Sequence, residues 1–64
     1  MNISPSKVKM FKLRNRRGYA AVCLNHLTEG NTPYLAYQRM VKALRRSGGT
    51  LKDIPVDKIK RLVS

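Results

Sequence analysis

A chain of 64 residues makes one domain and leaves no room for a second. Its single cysteine, Cys23, and single histidine, His26, exclude an internal disulfide and a four-ligand zinc site, so neither a metal nor a cofactor is expected. Lysine and arginine number 14 against three acids, Glu29, Asp53 and Asp57, and a net charge of +11 works against the compact state unless a polyanion relieves it.

DNA, RNA or a ribosome fits that requirement best, and an acidic protein surface is the alternative partner. The stretch from Met1 to Lys7 lacks the apolar run of a secretory signal, and the longest apolar run, Tyr19 to Leu24, is too short to span a membrane. With a free cysteine, these features lead to the expectation of a cytoplasmic protein, nucleoid-associated if DNA is its ligand. A domain this small buries only about 60% of the surface its unfolded chain exposes, which favours a homodimer.

Residues 1–6 are expected to form a flexible arm, with Pro5 between two serines favouring a turn or a helix start. Lys7 to Arg14 can be read with period two, which puts Phe11 and Leu13 inward and Lys12 and Arg14 outward. A helix from Pro5 grouping Val8 and Phe11 is the rival, and the strand is preferred. Asn15 to Gly18 is a breaker. Over Tyr19–Thr28 the spacing of Ala20, Leu24 and Leu27 and the alanines favour a helix, with a hairpin across Asn15–Gly18 as its competitor.

The clearest signal follows. Thr32 is a good N-cap and Pro33 suits the first helical position. Tyr34, Tyr37, Met40, Val41 and Leu44 make an apolar stripe at spacings of three and four, and Ser47-Gly48-Gly49 ends the helix. Residues 49–54 are expected to be a linker. Pro55, Val56, Asp57, Ile59, Leu62 and Val63 carry the pattern of a short terminal helix.

Catalytic candidates are few. Glu29 and Asp57 look like helix-terminus residues rather than an acid–base pair, and Cys23 reads as a buried thiol rather than a nucleophile served by His26. No enzyme is expected. The cations are the informative residues, since Lys12, Arg14, Arg16 and Arg17 lie within six positions and no acid occurs among the first 28 residues. Neutralising phosphates with such a run releases counterions and gives affinity without base contacts. Tyr34 and Tyr37 could stack on unpaired bases but fit the helix core better.

Phe11-Lys12-Leu13-Arg14, then Gly30-Asn31-Thr32 and Tyr37-Gln38-Arg39-Met40-Val41, resemble in their order the ribbon-helix-helix repressors of the Arc type, over residues 9–47. The resemblance implies a mainly α fold, in which a short N-terminal strand precedes two to three helices and pairs with the same strand of a second subunit. It also implies DNA binding and regulation of transcription, with Met10, Lys12 and Arg14 at base edges and Thr32 with its helix start at a phosphate. Lys9, Arg16, Arg17, Arg39, Lys42 and Arg46 complete the expected nucleic-acid site as backbone contacts. Arg17-Gly18-Tyr19 and Pro33-Tyr34 also resemble ribosome modulation factors, which implies RNA as the alternative ligand. Open alternatives for the fold are a small all-α bundle, or an N-terminal β-hairpin followed by helices.

Overall fold

Strand periodicity governs the first half of the chain. In a computed structural model, which describes residues 1–63, Val8 and Met10 are buried while Lys9 and Phe11 are exposed, the alternation of a strand with one wet face. The elements in order are β1 (Asn2–Ile3), a 3-10 turn (Pro5–Lys7), β2 (Lys9–Lys12), β3 (Tyr19–Cys23), β4 (His26–Gly30), α1 (Pro33–Arg46), β5 (Thr50–Leu51) and α2 (Val56–Leu62). Strands β2, β3 and β4 form an antiparallel sheet in that order, and β1 pairs parallel with β5. No helix is long and apolar enough to cross a membrane among the described residues.

This is a mixed α/β fold, which corrects both the mainly α expectation and the all-α alternative. The decisive segment is Tyr19–Thr28, which forms two strands instead of the expected helix. Ala20 and Ala21 are adjacent and both buried although a strand sends them to opposite faces: Ala21 joins the core under α1, and Ala20 is the small central residue between the paired Phe11 and Glu29. The helix propensity of alanine, a few tenths of a kcal/mol per residue, is outweighed by pairing along both edges of a central strand. Gly18, with φ +122°, closes the β2–β3 connection, where the Leu13 amide donates to the Gly18 carbonyl at 3.0 Å. The hairpin across Asn15–Gly18, the competitor to the helix, is the form the chain takes.

The ribbon-helix-helix arrangement is corrected with it. No helix lies between β2 and Gly30, which ends β4. The strand expected to pair between subunits is joined along one edge to β3 of its own chain, and on its other side Met10 bridges to Val63. The phase of that strand is also the reverse of the expected one: Met10 is buried, and Phe11 is 41% exposed.

Helix α1 forms where its signals place it. The Thr32 side chain accepts from the Leu35 amide at 3.1 Å, and Ser47 closes the other end. Its buried face is Ala36, Tyr37, Met40, Val41 and Leu44, so Tyr34 is corrected from core to surface at 43% exposure. This face packs on one side of the sheet, against Met10, Ala21 and Cys23. Thr28 and Gly30 on β4 bring the helix close, the Thr28 hydroxyl donating to the Ala36 carbonyl at 2.9 Å.

Residues 1–6 and 49–54, expected as an arm and a linker, meet each other. Ile3 opposite Leu51 in the parallel pair adds two buried side chains to the core. Helix α2 contributes Ile59, fully buried, as its apolar spacing implies.

Candidate nucleic-acid interface

Cross-strand register defines the sheet's two faces, because directly paired residues project to the same side. One row across the three strands is Phe11, Ala20 and Glu29, and the next is Lys9, Val22 and Leu27. These rows lie opposite α1. Lys9, Phe11 and Leu27 are exposed, so this face is open to solvent.

The loop between β2 and β3 supplies the charge. Arg14, Arg16 and Arg17 sit in it, all exposed, and Arg16 reaches back to Glu29 on the open face. One Arg16 guanidinium nitrogen lies 2.6 and 2.7 Å from the two carboxylate oxygens. This is the single ion pair among the described residues, so the remaining cations meet no described carboxylate side chain. Of the other two acids, Asp53 accepts from the Gln38 amide at 2.8 Å and Asp57 lies in the first turn of α2.

A second group of cations runs along α1. Arg39, Lys42 and Arg46 recur at spacings of three and four, which puts them on one side of the helix, and all three are exposed. Arg39 donates to the Glu29 carbonyl at 2.7 Å, and that contact fixes the row beside the β4 edge. The α1 cations therefore begin at the β4 edge of the sheet, next to Glu29.

The expected site residues separate into four places. Lys9 lies on the open face. Arg14, Arg16 and Arg17 lie in the loop at the sheet's end, and Arg39, Lys42 and Arg46 along α1. Lys12, opposite Tyr19, belongs to the other face of the sheet, exposed at the end of β2. One expectation is corrected. Met10 is 1% exposed and packs in the core, so it reaches no base edge. Thr32 caps α1 by accepting from the Leu35 amide, and its exposed hydroxyl keeps its own proton to donate.

Two residues of the open face lie outside the sequence-derived site, Phe11 and Leu27. The signal was present, since Lys9 and Phe11 share a parity in β2, but that strand distributes lysines and apolar side chains over both faces and its phase stays undecided without β3. Chemically, the surface offers guanidinium and ammonium donors around an apolar centre. The buried thiol of Cys23, whose pKa is raised by desolvation, lies on the inner face under α1. Comparison with protein-family models, curated proteins and solved structures finds no match to the chain.

Proposed function

We propose that the protein binds nucleic acid without catalysing a reaction, and that duplex DNA is its ligand. The observation carrying this is the open β2–β3–β4 face bordered by Lys9, Arg14, Arg16 and Arg17, on which the one acid is already neutralised by Arg16. Strands are known to enter grooves, and the exposed β2–β3–β4 face presents its side chains toward solvent on the side away from α1. The Arg39, Lys42 and Arg46 row would meet phosphates beside the groove.

A binding titration against salt tests this, using duplex DNA, single strands and structured RNA. The duplex is expected to bind tightest, with log affinity falling by about 0.9 per phosphate for each unit of log salt. Arg14→Ala and Arg17→Ala are each expected to weaken binding to all duplexes alike and to flatten that slope. Failure to bind any nucleic acid at low ionic strength would overturn the proposal. A second reading, RNA with unpaired bases, draws on the exposed Phe11 ring as a stacking surface. Tighter binding to single strands than to duplex, lost in Phe11→Ala, would favour it.

A further inference from the structure

We propose that the open sheet face distinguishes duplexes by the thymine methyl group, with Phe11 and Leu27 as the contacting side chains. The inference rests on the duplex-binding reading above. It follows from what the face contains and what it lacks. Its six positions are Lys9, Phe11, Ala20, Val22, Leu27 and Glu29, with no hydroxyl and no amide among them. Glu29 could accept from a cytosine amino group, but both of its oxygens are engaged by Arg16. Lys9, at one corner, is the one remaining hydrogen-bonding side chain.

A face so poor in polar groups has little with which to read base edges by hydrogen bonds. The major groove offers one apolar feature that varies with sequence, the thymine C5 methyl. Phe11 on β2 and Leu27 on β4 stand on either side of the small central residues Ala20 and Val22, and are 41% and 61% exposed. Strand spacing puts them roughly 10–12 Å apart, about three base steps of 3.4 Å. The occupant is chosen by charge. A second copy of the chain would bring a net +11 against +11, whereas a polyphosphate complements the Lys9 and Arg14–Arg17 border.

The test compares an A·T duplex with the same duplex carrying deoxyuridine for thymidine, which removes the methyl and leaves every hydrogen-bonding group in place. The thymine duplex is expected to bind tighter by roughly fourfold for each methyl engaged. The Phe11→Ala, Leu27→Ala double variant is expected to bind both duplexes equally, with an unchanged salt slope and a circular-dichroism spectrum like the parent's. Equal affinity of the unsubstituted protein for the two duplexes, with salt-sensitive binding retained, overturns the methyl contact and leaves the duplex reading standing. Binding to neither duplex at low salt overturns both. A dimer of the parent that Phe11→Ala dissolves also overturns the inference, by assigning the face to self-association.

Discussion

Arg16 and Glu29, thirteen residues apart, close an ion pair across the end of the open sheet face, one guanidinium nitrogen shared between both carboxylate oxygens, and the same Glu29 presents its backbone carbonyl to Arg39. One residue of β4 thus ties the β2–β3 loop on one side and α1 on the other. It is also the one acid on a surface otherwise built of cations and apolar side chains. The pair has two consequences of opposite sign for a polyanion: it cancels a repulsive charge, and it keeps one arginine from the phosphates.

Glu29→Gln removes the repulsion and frees Arg16 while preserving the backbone contact to Arg39. Duplex affinity at low salt is expected to rise several-fold, and the salt slope to steepen by about 0.9, the share of one added phosphate contact. Stability should change by less than about 1 kcal/mol, because both side chains are substantially exposed and such pairs contribute little. Unchanged affinity and slope would place this corner outside the contact surface.

Gly30 is where β4 and α1 approach most closely. A Cβ there would lie 2.6 Å from the Ala36 amide nitrogen and 2.7 Å from the Leu35 Cβ, neither of which is the end of a flexible side chain. Gly30→Ala must therefore lift the helix or bend the strand, at an expected cost of about 1–3 kcal/mol. A urea denaturation midpoint close to the parent's would show that the helix is not seated on this glycine.

Leu24 carries a different strain. It occupies the two-residue turn between paired Cys23 and His26, at φ 55°, and its side chain is 61% exposed. The left-handed region costs a residue with a Cβ about 1–2 kcal/mol, while glycine's greater chain entropy returns about 0.5–1. Leu24→Gly is expected to raise the melting temperature by a few degrees, and Leu24→Asn to do so with a smaller entropic loss. A lower melting temperature for both would mean that Leu24 earns its place by a contact.

How legible the molecule was depends on whether a signal is local. Thr32-Pro33 and the stripe through Leu44 specify α1 within one segment, and Pro55, Asp57 and Ile59 do the same for α2. The sheet is not local in that sense. Tyr19–Cys23 has alanines that favour helix in isolation, and only pairing with β2 and β4 makes it a strand. The phase of β2 is not local either: period two points Phe11 inward and Met10 outward, and only pairing with β3 under α1 reverses them. The cations were legible as a run, but their division among face, loop and helix follows from register, and the closing of Arg16 on Glu29 from tertiary proximity.

Tyr37 supplies the last test, because its phenol is both a core group and a titrating one. The ring is fully buried, and its hydroxyl donates to the Lys52 carbonyl, joining α1 to the segment after β5. Burial first, then the nearby Asp53 carboxylate and the Cys23 thiol, push its pKa up to about 12. An unfolded tyrosine titrates near 10. The folded state thus holds the proton more tightly, so this contribution to stability is complete below about pH 10 and is lost as pH rises towards 12. Tyr37→Phe removes the titration together with the hydrogen bond. At neutral pH it is expected to cost about 1–2 kcal/mol, since the Lys52 carbonyl loses its partner. Between pH 10 and 12 the gap between parent and variant should narrow, and because lysines titrate in both proteins the difference isolates the phenol. A gap that stays constant over that window would mean that the hydroxyl is as free to ionise in the fold as in the open chain, and that its bond to Lys52 does not hold.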